Sequence, residues 1–233
     1  MRVIFAIPSH SGTLNAECVL SLFSAQALLA KNGIEHDVII LSHCAYLPVA
    51  RNTLVAMFMQ DEKATDLFFI DADVGFDASA VLKILERPEK LVAGIYPLKR
   101  DTGGFPVKIK TIDNVPIGRD GLVEAELLPT GFMRIKRIVF ERMQEAYPDL
   151  RYTNSVVDIS NSGLTEAYDF FNMGSAGKIK WTSEDFAFCE RWTAIGGQLW
   201  VYPDIEFSHV GQKAYKGNYH QYLSSPKKET VCR

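Results

Sequence analysis

Through the first hundred residues, short apolar runs alternate with longer stretches whose apolar positions recur every three or four residues. No other feature narrows the fold as much. Val3-Ile4-Phe5-Ala6-Ile7 reads as a buried strand, within a first strand reaching Ser9. Leu14, Cys18, Leu22, Ala25 and Leu29 then mark one face of a helix over residues 13–31, and Asn32-Gly33 is a suitable stop. Residues 37–41 repeat the strand signal, 51–60 the helix signal, 66–70 the strand and 78–86 the helix, which ends before Pro88; 91–96 is a fourth strand. Such alternation predicts an α/β protein, Rossmann-like, with a mostly parallel sheet covered by helices on both faces. Ligands of such sheets gather at the carboxyl ends of the strands. Pro8-Ser9-His10, Ser42-His43 and Asp71-Ala72-Asp73 all fall at such ends.

Regularity falls beyond residue 100. Residues 107–112 and 122–127 flank Gly118-Arg119-Asp120-Gly121 as a hairpin would, and Pro129-Thr130-Gly131 leads into a strand over 132–135. A helix is expected over 137–146 and another over 184–194, capped by Ser183. Short strands follow at 199–202 and 206–209, before a tail containing Gly and Tyr. Residues 148–180 are polar, broken by Gly163, Gly174 and Gly177, and suit a segment that includes a mobile loop. With no repeat and no linker, 1–233 reads as a single domain. Residues 1–100 form a nucleotide-binding half, and 101–233 a smaller mixed acceptor-side half with a metal-binding C-terminal segment.

A chain of 233 residues, 47% hydrophobic and 23% charged, can bury a sizeable core. Its net charge of -3 argues against a general nucleic-acid binder, and the short basic pairs Lys99-Arg100 and Lys227-Lys228 suit solvated faces or local phosphate contacts rather than a polyanion track. Cys18, Cys44, Cys189 and Cys232 show no metal or disulfide spacing, which suits reduced thiols in the cytoplasm. No apolar run has the length of a transmembrane segment or a signal core.

The chemistry concentrates at Asp71 and Asp73, directly after Leu67-Phe68-Phe69-Ile70. Residues two apart on an extended chain point the same way, so both carboxylates are expected to share one small volume. Asp77 follows closely, with no neighbouring Lys or Arg to neutralise the three acids, and a hard divalent cation would relieve their repulsion. Oxygen ligands favour Mn²⁺ or Mg²⁺ over zinc, and His209, closing a strand, would add a nitrogen that tilts the choice to Mn²⁺. Gly211 would let the backbone approach a phosphate that Lys213 could pair with. Glu184 and Asp185 stand in the first turn of a helix, where the dipole alone favours acids, but where one could accept a proton from an acceptor hydroxyl. Arg51, opening the second helix beside Asn52, suits an anionic or planar partner; Gly131 suits a sugar ring needing room. Trp181, Tyr215 and Tyr219 could stack on a sugar, whereas Trp192 and Trp200 suit the core.

In order along the chain, the strand ending in Pro8-Ser9, Ala50-Arg51-Asn52, Asp71-Ala72-Asp73, Thr130-Gly131-Phe132, Ser183-Glu184-Asp185 and His209-x-Gly211-x-Lys213 resemble the GT-A nucleotide-sugar glycosyltransferases with a DxD motif. The small enzymes of bacteria, phages and large DNA viruses are the most similar. The resemblance implies a UDP-sugar donor, a hydroxyl acceptor (glycan, glycoprotein or lipid-linked) and a divalent cation, usually Mn²⁺. Pro8, Ser9 and Arg51 would contact the nucleoside, with His10 and Asn52 beside them; Ala72, Gly131 and Gly211 would line the nucleotide-sugar. Asp71, Asp73 and His209 would hold the metal, Lys213 the diphosphate, and Asp185 with Glu184 would serve the reacting carbon. The HxGxK ending is similar to that of retaining, glycogenin-like enzymes, but the chain lacks their Pro-Trp continuation. A nucleotidyltransferase would share the fold and metal, yet Pro8 to Thr13 offers only Gly12 for a triphosphate loop. An aspartyl phosphatase would carry its acids on the first strand, and no GxGxxG follows strand one. A non-catalytic nucleotide- or sugar-binding module is the remaining alternative.

Overall fold

The computed structural model describes residues 1–110, 121–153, 164–173 and 181–224. Residues 154–163 and 174–180 of the expected mobile loop, the turn expected at 118–120, Lys227-Lys228 and Cys232 lie outside the described residues.

The elements, in chain order, are β1 (Arg2–Ser9), α1 (Ala16–Lys31), β2 (Glu35–Ser42), α2 (Leu47–Gln60), β3 (Asp66–Ile70), β4 (Val74–Phe76), α3 (Ser79–Leu85) and β5 (Leu91–Ala93). There follow β6 (Lys108–Ile109), β7 (Val123–Leu127), β8 (Phe132–Lys136), α4 (Arg137–Ala146), β9 (Arg151–Thr153) and β10 (Glu166–Tyr168). The chain continues with α5 (Glu184–Ala194), β11 (Leu199–Val201), β12 (Glu206–Val210), β13 (Ala214–Asn218) and α6 (Tyr219–Ser224). An eight-stranded sheet runs β2-β1-β3-β8-β5-β11-β7-β6. β1 pairs in parallel with β2 and β3, and β5 with β11, while β8 and β7 run against their neighbours. The mainly parallel α/β architecture is therefore as expected, with the carboxyl ends of β1, β2, β3 and β5 on one edge.

Alternation along β1 divides the core into two layers. Val3, Phe5 and Ile7 meet Cys18, Leu22, Ala25 and Leu29 of α1, with Val81 and Ile84 of α3. Ile4 and Ala6 face Leu54 and Phe58 of α2 and Phe140 of α4. Asn15 precedes α1 without a side-chain capping bond. Such a bond is worth about 1 kcal/mol, less than burying one leucine at about 2 kcal/mol, so the apolar stripe holds this helix.

Several local expectations are corrected. α1 begins at Ala16 rather than residue 13. α2 begins at Leu47, because Pro48 is accommodated in a first turn that needs no amide hydrogen there. Arg51 therefore lies inside the helix and is buried rather than opening it. Ser183 precedes α5 without capping it by its side chain, since its hydroxyl bonds Asp185 instead. β4 was not anticipated: the chain turns at Ala72-Asp73 and forms a second sheet, β13-β12-β4. The Gly- and Tyr-containing tail becomes β13 and α6.

Candidate functional site

The acidic motif is a turn, not an extended strand end. The Val74 amide donates to the Asp71 carbonyl at 3.1 Å, closing it. The Asp71 amide donates to Gly131 O (2.9 Å), the Asn15 amide to Ala72 O (2.9 Å) and the Val210 amide to Asp73 O (2.8 Å). The turn's own bond and three remote segments, at Asn15, Gly131 and Val210, thus fix the motif before any ligand arrives. Because the chain turns here, the two carboxylates diverge.

Asp71 faces inward. Arg51 Nη2 lies 3.0 Å from its Oδ1, and Arg51 Nε lies 3.6 Å from Glu184 Oε1. Arg51 is 2% exposed, with its guanidinium 5.3 Å from the Phe69 ring centroid. Burial opposes its charge, but Asp71 and Glu184 outweigh burial and keep it ionised. Its Nε and Nη1 have no hydrogen-bond partner among the described residues. Tyr96 adds a hydroxyl 3.5 Å from Asp71 Oδ2; burial, then Asp71, push that phenol well above its ordinary pKa, so it stays a donor.

Asp73 faces the other way. Lys99 Nζ bonds its Oδ2, and His209 Nε2 stands 3.4 Å from its Oδ1. Burial favours the protonated acid, yet the contacts from His209 and Lys99 win and hold Asp73 below the ordinary carboxylate value. The approach of His209 follows from the strand register, in which His209 pairs with Val74, the residue after Asp73. His209 Nδ1 lies 2.8 Å from the Pro97 carbonyl, which can only accept, so Nδ1 carries hydrogen. Hydrogen on Nδ1 holds the ring so that Nε2 is the nitrogen facing the Asp73 carboxylate. The Tyr96 ring meets the His209 ring edge-on at 4.8 Å, linking the two halves of the site.

The expectation of un-neutralised acids is therefore corrected: Arg51 and Lys99, remote in sequence, supply the charge. Asp77 is not in the cluster, since it binds the Ser79 amide (2.8 Å) and hydroxyl at the start of α3. Among the described residues no group of three or more His, Cys, Asp or Glu side chains is arranged to hold a metal ion. The donor chemistry nevertheless suits one through a two-ligand half-site. Ligands about 2.1 Å from a common ion stand roughly 3.0–3.4 Å apart, as Asp73 Oδ1 and His209 Nε2 do, and substrate phosphates commonly complete such a shell. Hydrogen bonding at the second ring nitrogen is also usual for a ligating histidine. Asp71 is engaged by Arg51 instead.

Glu184 and Asp185 join the cluster through Arg51. α5 is anchored near Gly131, since the Leu128 amide lies 3.4 Å from Cys189 Sγ. Burial raises the Glu184 carboxyl above its ordinary pKa, with Arg51 opposing. Burial likewise raises Asp185, opposed by the Ser183 hydroxyl, Arg51 and the Phe186 amide, which donates to Oδ1 at 2.8 Å.

The room reserved for a sugar ring beside Gly131 is taken by the Asp71 carboxylate and the Tyr96 hydroxyl, where a Cβ would intrude. Asn52 clamps a neighbouring segment, donating to Asp169 Oδ1 at 2.8 Å and accepting from the Phe171 amide at 3.1 Å. Pro8 and Ser9 are buried and His10 is exposed. The Ser9 hydroxyl donates to Thr13 O at 2.8 Å, while its carbonyl accepts from Gly12 (3.2 Å) and His43 (3.1 Å). Lys213 pairs with Asp101 rather than the acidic motif, 5.2 Å from the Tyr215 ring centroid. Trp181 is 74% exposed, whereas Tyr219 is buried beside Phe105 and so is not a stacking platform. Trp192 is in the core as expected, and Trp200 is partly buried against it. Tyr96 and Pro97 were missed, although their place at the end of a fourth strand on the same sheet edge was the available signal; Lys99 was read only as part of a basic pair, with no link to Asp73.

Fold and cluster together define an α/β protein that presents an acidic turn, an imidazole and two basic side chains at one edge of its sheet. Neither a protein-family model nor a curated protein sequence matches the chain. Among solved structures it is similar to A197 from STIV, at 22% identity and TM-score 0.52, over 91% of this chain and 86% of that one. That likeness establishes a shared fold. Lower TM-scores relate it to the catalytic domain of Drosophila β1,4-galactosyltransferase 7 (0.45, 11% identity, 100% of this chain and 76% of that one). A glycosyltransferase involved in glycosylation of the major capsid of PBCV-1 follows (0.32, 8%, 64% and 66%). Among the described residues no helix is long and apolar enough to cross a membrane.

Proposed function

We propose that the chain is a GT-A glycosyltransferase that moves a sugar from a UDP-sugar to a hydroxyl of a glycan, glycoprotein or lipid-linked acceptor. The observation that carries this reading is the Asp73–His209 pair, 3.4 Å apart at the carboxyl edge, with the imidazole tied to Pro97. Asp73 and His209 are the residues that would hold Mn²⁺, or Mg²⁺ in its place. Such an ion supplies Lewis-acid neutralisation of the leaving diphosphate. Arg51 fixes Asp71 and Glu184, and so sets the floor of the donor pocket; Tyr96 orients Asp71 by its hydroxyl. Asp185, with its raised pKa, stands ready at the reacting carbon to take the acceptor proton or to face positive charge on the sugar. The His209-x-Gly211-x-Lys213 spacing leans the outcome toward retention.

Thermal stabilisation by UDP, GDP, CMP and ATP, each with and without Mn²⁺, tests the reading. Metal-dependent stabilisation by UDP alone supports it, and indifference to every nucleotide overturns it. The countering of Asp73 by Lys99 favours a second reading, a nucleotide- or sugar-binding module, for which UDP would stabilise the chain equally without metal.

A further inference from the structure

We propose that Lys99 is a donor-binding residue that exchanges partners, holding Asp73 until a divalent cation takes the Asp73–His209 pair, then turning to the donor diphosphate. The inference rests on the donor-site reading above and adds a residue to it. Three observations support it.

The first is placement. Asp73 offers one carboxylate oxygen to Lys99 and the other to His209, so the ammonium sits at the same carboxylate that a metal would use. The second is freedom of the tip on a fixed base. The backbone around Lys99 is pinned, with the Leu98 amide donating to Gly104 O at 2.9 Å and Pro97 O accepting from His209. The Lys99 stem crosses Gly211, where a Cβ would stand 3.2 Å from Lys99 Cδ. The Lys99 side chain as a whole is 35% exposed and its Asp73 partner 33%, so the ammonium has solvent to turn into while the stem rests on Gly211. Gly211 therefore serves Lys99, whereas Lys213 is paired elsewhere.

The third is charge. Asp71 is already balanced by Arg51. Asp73 and Lys99 cancel each other. With a divalent cation on Asp73, the cation, the carboxylate and the freed ammonium together carry a charge that the two anionic groups of a nucleotide-sugar diphosphate neutralise. Without Lys99 that sum would be negative. A half-exposed ion pair is too weak to hold the carboxylate against a divalent ion.

The full chain is titrated with Mn²⁺ alone, read by the electron paramagnetic resonance of free Mn²⁺, and then with UDP at saturating Mn²⁺ by calorimetry. Lys99→Met keeps the stem over Gly211 and removes the charge. It is expected to bind Mn²⁺ about fivefold more tightly, since one competing surface pair is lost, and UDP about tenfold more weakly. Lys99→Arg, tested beside it, should keep UDP affinity near wild type. If wild type binds both ligands and Lys99→Met matches it in both, the exchange is refuted while the donor site stands. Weaker Mn²⁺ binding by Lys99→Met refutes it equally. If wild type binds neither ligand, the donor-site reading falls and the exchange with it.

Discussion

A side-chain carbon placed on Gly131 would overlap Asp71 Oδ2 and lie 2.5 Å from the Tyr96 hydroxyl. The glycine is thus required by close approach to the carboxylate. Gly131→Ala should displace Asp71 from Arg51, costing about 1–3 kcal/mol as overpacking does, and should weaken UDP binding. Thermal denaturation and UDP titration on the same sample check both effects; an unchanged variant would show that the pocket floor is soft.

Arg51 balances two carboxylates from inside the core. Arg51→Met should destabilise the fold by about 3 kcal/mol, because it leaves Asp71 and Glu184 facing each other without a counterion. Arg51→Lys should recover only part of this, since an ammonium lacks the planar fork that addresses two partners. Urea unfolding of the three proteins provides the comparison.

Asp73→Ala and His209→Ala are expected to leave the fold intact and to lose metal-dependent UDP binding, by about 100-fold if both are ligands. A variant that keeps Mn²⁺-linked affinity removes its residue from the site. His209→Ala also frees the Pro97 carbonyl, so His209→Gln, which can donate there, should recover the stability but not the affinity.

Raised carboxyl pKa values at Asp185 and Glu184 give a defined pH dependence. Between the ordinary carboxylate pKa and the raised native one, the folded chain binds more protons than the unfolded chain, so stability falls as pH rises through that window. Above it the penalty is constant. Asp185→Asn should therefore gain stability over wild type at neutral pH, and the gain should vanish below the ordinary aspartate pKa. The same variant should keep UDP affinity and lose turnover. A stability difference independent of pH would contradict the assignment.

The parallel sheet was legible because β1, β2, β3 and β5 announce themselves by apolar runs, and α4 and α5 fall on the expected residues. The acidic turn and His209 were legible as strand ends. What stayed hidden was pairing between distant elements. Arg51 meets Asp71 through two elements that local pattern does not orient relative to each other, and the same holds for Lys99 and Asp73. The divergence of the two aspartates was also hidden, because β4 is a three-residue strand whose signal merges with that of β3. The helical start at Leu47 was obscured by Pro48, a residue type that usually interrupts helices.

β12, which brings His209 to β4, follows all eight strands of the large sheet in chain order. During synthesis the large sheet can therefore be complete before β12 emerges, whereas the acidic turn waits for that strand to supply both His209 and the Val210 amide bond to Asp73 O. A nascent chain of this protein would thus acquire its main scaffold first and the closure of its acidic turn last.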